Sequence, residues 1–191
     1  MNRLLRLGWV VLRAWLHLHR HGGPQGSPLD PWRTRLRVLP NDLDLLRHVN
    51  NGVYLTLMDI GRVDLLVRTG AQRAASARGW YPVVVGETIR FRRSLRLGER
   101  FEIVTRVLGW DDRLVYLEQI FQRRRPAAEP EVVAEAVVAA RYLARTGGGV
   151  PAPDVAAAFG SVPQSPPLPA DVLAWARSIH LTRASSDPPE K

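Results

Sequence analysis

The sequence predicts an α+β domain in which an antiparallel sheet covers one face of a single long helix. Three observations carry that expectation. A strand-like run from Trp32 to Leu39 is followed by a helical run from Tyr54 to Arg68. Four strand-like runs then arrive with hairpin-length gaps: Tyr81 to Leu95, Arg100 to Leu108, Leu114 to Arg123 and Glu131 to Ala144. The helix places Val53, Leu57, Ile60 and Leu65 at a spacing that buries one stripe, and a sheet with one buried helix satisfies the whole order.

The totals narrow the chemistry. The 191 residues suffice for one compact domain, and 46% hydrophobic residues suit a globular chain. The chain has no cysteine, which excludes disulfides, thiolate catalysis and cysteine-ligated metals. The formal charge of +9 does not argue for nucleic acid, because Lys191 is the only lysine and 26 of the 27 basic residues are arginine, scattered along the chain. No nucleic-acid partner is expected. An anionic ligand or membrane surface fits the charge better.

Residues 1–31 read as an N-terminal amphipathic helix and linker. Leu4, Leu5, Leu7, Trp9, Val10, Val11, Leu12, Trp15, Leu16 and Leu18 are punctuated by Arg3, Arg6, Arg13 and Arg20. The uninterrupted apolar stretch is too short to span a bilayer, and Arg13 breaks any signal-peptide core. Residues 1–21 can instead lie in a membrane interface, or pack on the domain or a partner subunit. Gly22, Gly23, Pro24, Gly26, Pro28 and Pro31 mark the linker. His17, His19 and His21 alternate, which puts them on different sides of a helix, and no metal site is expected there.

Residues 32–146 form the main domain. Pro40 ends the first strand, and the helix starts near Asn50 and Asn51, both good N-caps. Asp59 and Arg62 lie three apart and can pair on the helix surface. Ala71 to Arg78 extends the helix or forms a short second one. Gly98-Glu99, Asp111-Asp112 and Pro126 to Pro130 mark turns, and Gly147 to Gly149 end the sheet. Residues 147–191 read as a proline-rich extension with one amphipathic segment from Ala170 to His180.

The densest chemistry lies between the first strand and the helix, in Asp42-Leu43-Asp44-Leu45-Leu46-Arg47-His48-Val49-Asn50-Asn51-Gly52-Val53-Tyr54. A carboxylate, an imidazole and a helix N-terminus here can polarise a carbonyl and deliver water to it. Asp44 can serve as base or nucleophile, or as an Asx-turn residue holding the loop. Asp42 suits a turn or cap. His48 can hydrogen-bond a carbonyl oxygen, orient Asp44, or be satisfied by backbone. Tyr54 reads as a core or interface aromatic. Arg90, Arg92, Arg93, Arg96 and Arg123 to Arg125 can meet phosphates or form a solvated face. Neither a phosphate-binding glycine loop nor a nucleophile elbow is present.

Asp-x-Asp at 42 to 44, His48-Val49-Asn50-Asn51, Tyr54, Asp59 and Arg62 resemble the signature of hotdog-fold acyl-CoA thioesterases of the 4-hydroxybenzoyl-CoA thioesterase type. Arg92 to Leu97, Leu108 to Arg113 and Leu168 to Asp171 resemble a narrower branch, the thioesterase-superfamily-member-six-like proteins. The similarity runs from about Arg37 to about Ser186. It implies a hotdog fold, a curved antiparallel sheet wrapped around one long central helix, with two subunits pairing their sheets and the active site at their interface. It places the catalytic carboxylate at Asp44 and carbonyl polarisation near Asn51. His48 belongs to the catalytic set, while Asn50, Tyr54, Arg92 and Arg93 contact substrate. Many family members have glycine where this chain has Arg47, and an arginine there can narrow the acyl or CoA entrance.

The resemblance implies hydrolysis of a fatty or aromatic acyl-CoA thioester to free acid and CoA. The alternative is a non-catalytic acyl- or acyl-CoA-binding or scaffold protein. No cofactor and no metal is implied, because CoA enters as part of the substrate. The expected state is a cytoplasmic homodimer or homotetramer; residues 1–21 either contact a membrane peripherally or pack on protein.

Overall fold

The structure, a computed structural model of the chain, describes residues 3–20, 22–24, 26–123, 129–160 and 164–184. His21, Arg124, Arg125 and most of the turn expected at Pro126 to Pro130 lie outside them.

The central helix α2 (Asn51–Arg68) starts where the asparagines place it. Asn50 is the cap, and its side-chain oxygen accepts the Gly52 amide at 2.9 Å. Val53, Tyr54, Leu57, Met58, Ile60 and Leu65 are buried. The helix lies close to the sheet at Gly61. A methyl group there would meet Gln119 Nε2 and Thr105 Oγ1, each at 2.9 Å, so no larger residue fits. A second, short helix α3 (Ala71–Ala77) follows Gly70, whose φ of 76° turns the chain between the two.

Strands β1 (Trp32–Arg37), β2 (Trp80–Phe91), β3 (Arg100–Trp110), β4 (Val115–Arg123) and β5 (Glu131–Ala144) form an antiparallel sheet in the order β1-β3-β4-β5-β2. One face packs on α2 through Ile103, Phe121, Val133 and Val138, all fully buried. Register shifts at Val84/Gly86 and Val107/Gly109 break the pairing locally, as β-bulges do when they bend a strand. Among the described residues β2 ends the sheet and pairs only with β5. The strand stops at Phe91 rather than running on to Leu95, and residues 92–97 leave the sheet to pass the polar loop.

The chain after β5 differs from the simple extension that its composition suggests. Gly147 to Gly149 do not end the sheet: they lead into a two-residue strand β6 (Gly149–Val150) on β5. Helix α4 (Ala152–Ala158) follows and buries Val155 and Ala156 in the main core. The last helix, α5 (Ala170–Ala184), packs Val172 and Ala176 with Leu114, Tyr116 and Ala139 in a second apolar cluster. The Trp110 amide donates to Ser165 Oγ at 2.8 Å, and a side chain at Gly109 would collide with Ser165 and the Pro166 carbonyl. Two segments far apart in sequence, 108–113 and 165–171, therefore meet at a position that needs glycine.

At the other end of the chain, α1 (Arg3–Arg20) packs along α2. Arg6, Val10 and Ala14 recur at helical spacing and are buried. Among the described residues no helix is long and apolar enough to cross a membrane.

Candidate active site

The polar loop is a closed turn. The Asp44 amide donates to the His48 carbonyl at 2.8 Å, and the Arg47 amide donates to the Asp44 carbonyl at 3.0 Å. Arg47 takes a φ of 61°, the only non-glycine residue in the left-handed region among the described residues. The Asp44 side chain sits inside this turn. Its Oδ1 accepts the Leu46 amide at 2.9 Å and the His48 amide at 3.2 Å. Both bonds fall on one oxygen, and the carboxylate is half-buried. Leu45 and Leu46 stand out from the turn and are almost fully exposed.

The turn is fixed on two sides. The Val49 amide donates to the Leu95 carbonyl at 2.9 Å, and His48 forms an isolated bridge with Arg96, so residues 92–97 run beside the loop. The Asn50 amide donates to the Asp42 carbonyl at 2.9 Å, which joins the loop to the cap of α2. At that helix start the Gly52 amide is taken by the Asn50 side chain and the Val53 amide by the Asn50 carbonyl. The Asn51 amide is left as a helix-start donor with no partner among the described residues.

Asp42 plays the turn role expected of it, with Oδ2 accepting the Leu39 amide at 2.8 Å. It also makes a contact that sequence reasoning missed. Arg6 of α1 places Nη1 3.1 and 2.9 Å from the two Asp42 oxygens, and Arg6 also donates to the Arg37 carbonyl. Arg6 is 6% exposed and Asp42 4%. The available signal was the position of Arg6 on the Val10–Ala14 face of α1, which marks it as an inward residue.

The other expected site residues are dispersed. Tyr54 is buried, its ring edge-on to Phe91 and Phe121. Burial raises its hydroxyl pKa to about 12, against a smaller opposing effect of a backbone hydrogen bond at Leu95. Arg92 and Arg93 are exposed beside the loop-facing segment. Arg92 pairs with Glu135 at 2.6 Å, and Arg93 lies 3.7 Å from Glu131. Asp59 and Arg62 do pair, but not on the helix surface. Arg62 is buried, contacts the exposed Asp59, donates to Gln119 Oε1 at 2.9 Å and pairs with Glu87 at 2.9 Å. It is pulled inward because fully buried Gln119 needs a donor, while the amide of that glutamine bonds the Met58 carbonyl and Thr105.

An apolar cavity of about 160 Å³ lies at the other end of α2 from Asp44. Val63, Leu66, Val84, Val107, Leu117 and Phe159 are among its walls, and Asp59 and Arg62 reach its edge. None of the loop residues lines it.

With the geometry in place, comparison with known proteins decides the family. The family described as "Thioesterase-like superfamily" matches residues 38–176. The chain belongs to that superfamily. It is 38% identical over 138 residues to Protein THEM6 of Xenopus laevis, covering 72% of this chain and 63% of the relative. It is 47% identical over 117 residues to Protein THEM6 of Danio rerio, covering 61% of this chain and 55% of the relative. The chain thus spans between half and two thirds of the length of these curated relatives. Among solved structures, YbaW, a probable thioesterase from Escherichia coli, superposes with a TM-score of 0.61 at 23% identity, over 66% of this chain and 95% of that one. A 4-hydroxybenzoyl-CoA thioesterase mutant complexed with 4-hydroxybenzoyl-CoA gives a TM-score of 0.61 at 14% identity, over 68% and 98%. These identities speak for the fold alone, and the fold is the hotdog.

Proposed function

We propose that this chain hydrolyses an acyl-CoA thioester to free acid and CoA, with Asp44 as the reacting carboxylate. The observation that carries the reading is the clamping of Asp44 Oδ1 by two backbone amides a few residues before a capped helix start. That arrangement leaves Oδ2 for the chemistry. Asp44 takes a proton from water as the water attacks the thioester carbon, or attacks that carbon itself. The carbonyl oxygen gains negative charge in either case. The Asn51 amide, at the positive end of α2, is the donor that stabilises it. The CoA thiolate then leaves; where Asp44 itself attacked, water next hydrolyses the acyl–Asp44 anhydride to release the acid and regenerate the carboxylate. His48 flanks the same turn, and Arg92 and Arg93 supply positive charge beside it for CoA phosphates, at the cost of loosening their pairs with Glu135 and Glu131. No cofactor enters. A protein that shares this fold is seen with 4-hydroxybenzoyl-CoA bound, which shows that the fold can hold such a ligand.

A homodimer completes the site in this reading. β2 exposes Tyr81, Val83, Val84 and Val85 along a strand with one unpaired edge, and pairing of that edge with a second copy covers them. The apolar cavity of one chain then supplies acyl-binding volume that the loop of the same chain does not reach.

One observation favours the rival reading, a protein that binds acyl-CoA without turnover: the bond from the Leu46 amide to Asp44 Oδ1 is that of an ordinary Asx turn, and the His48 amide bond also holds the loop. Release of free CoA from short, medium, long and aromatic acyl-CoAs, with Asp44→Asn beside the natural protein, separates the two. Asparagine keeps the Oδ1 acceptor and so preserves the turn. Turnover is expected to fall by about 10²- to 10⁴-fold with an unchanged melting curve. No turnover by the natural protein on any substrate would favour the non-catalytic binding or scaffold reading.

A further inference from the structure

We infer that the outer face of α1 is a docking surface for an anionic lipid membrane. The two faces of this helix are different in kind. The inner face, Arg6, Val10 and Ala14, is buried against the domain. The opposite face leaves Leu5 64%, Trp9 58%, Leu12 45% and Trp15 48% exposed, with Leu16 in the same stripe. Residues 5, 9, 12 and 16 follow helical spacing, so the stripe is continuous along the helix. Burying it in the domain would require turning α1 over, which would break the Arg6–Asp42 pair.

The charges decide the occupant. The helix contains no acidic residue. Arg13 and Arg20 are exposed on the flank of the stripe and have no acidic partner among the described residues. The whole chain carries a formal charge of +9. A second copy pairing across this face would bring arginines together with no carboxylate on the helix to offset them. An anionic bilayer surface complements the same features: tryptophan and leucine enter the headgroup boundary while arginine meets phosphate. α1 lies in the interface plane and does not cross it. The Arg6–Asp42 pair ties the docked helix to the loop that holds Asp44, so the membrane surface lies near the polar loop. The inference stands whether or not Asp44 turns over thioesters.

The test is cosedimentation of the full chain with phosphatidylcholine vesicles, with and without phosphatidylglycerol, for the natural protein, Leu12→Glu and Arg13→Glu. The natural protein should sediment with the anionic vesicles, less so at high salt. Both variants should lose at least about tenfold in partitioning, the effect of taking one large apolar side chain, or one charge pair of like worth, from the interface. Their melting curves should match the natural protein's, because neither side chain supports the domain; if Leu12→Glu misfolds, Arg13→Glu decides alone. Absence of sedimentation with anionic vesicles overturns the proposal, and so does equal sedimentation of the variants. A natural protein that ignores vesicles but forms a larger assembly broken by Leu12→Glu shows that a second copy occupies the face instead.

Discussion

Arg47 is the residue whose backbone is most at odds with its side chain. At φ 61° it occupies the left-handed region, where a Cβ costs about 1–2 kcal/mol that glycine does not incur. The turn forces this, because Asp44 closes on His48 in five residues and both Asp44 bonds depend on it. The same geometry favours glycine at this position. Glycine adds unfolded-state freedom, which offsets roughly 0.5–1 kcal/mol of the gain. Arg47→Gly is therefore expected to raise stability by up to about 1 kcal/mol, read as a shift in the denaturant midpoint at unchanged slope. A lower midpoint would mean that the exposed guanidinium holds the turn. The Asp42 pair is a sharper case. Arg6→Ala leaves a carboxylate buried without its cation, a change worth about 3–5 kcal/mol where the site stays dry. Arg6→Met combined with Asp42→Asn should recover much of that loss. If the double variant is as unstable as Arg6→Ala, the pair is not coupled and the helix docks on its apolar residues alone.

At the level of elements, the sheet has one protected end and one open end. β1 is short and carries Arg33, Arg35 and Arg37, a charged edge that discourages further pairing. β2 is twelve residues long and exposes Tyr81, Val83, Val84, Val85 and Phe91, beside Pro82, Thr88 and Arg90. An edge of that length and character calls for a partner strand. Val83→Lys with Val85→Lys is expected to convert a dimer to monomer with native circular dichroism, as measured by analytical ultracentrifugation. A monomeric natural protein would remove the argument. If the proposed dimer completes the site, acyl-CoA turnover should fall in the same variant, because the cavity lies toward the far end of α2 from the polar loop of the same chain.

Across the whole molecule, the features written into local sequence were legible and those that join distant segments were not. The cap at Asn50, the buried stripe of α2 and the alternation of β3, β4 and β5 each repeat within a few residues, and each is where the pattern puts it. The loop from Asp42 to Asn51 was legible as a polar cluster, and so was the turn role of Asp42. The Arg6–Asp42 pair spans 36 residues and the buried Arg62–Gln119 bond 57, and neither leaves a periodic trace. β6 and α4 are too short to show a period of their own, and their glycines and proline read as punctuation. Composition supplies a last expectation at this scale. With no cysteine and with Lys191 as the only lysine, titration above pH 9 falls mainly on the four tyrosines. Burial raises the hydroxyl pKa of Tyr54 to about 12 and pushes Tyr142 up as well; Tyr116 is raised by burial and by the Asp111 carboxylate, to which its hydroxyl donates a hydrogen bond at 2.6 Å. A pKa higher in the folded than in the unfolded chain means that the native state holds the proton more tightly. The stabilisation is complete below the ordinary tyrosine value of 10.0 and is lost as pH rises through the folded value. Denaturant midpoints should therefore hold steady to about pH 10 and fall steeply from there towards pH 12. Tyr54→Phe should lessen that slope, since phenylalanine fills the same space against Phe91 and Phe121 with nothing to ionise. A flat profile, or an identical slope in Tyr54→Phe, would show that this hydroxyl ionises as easily in the folded chain as in the unfolded one.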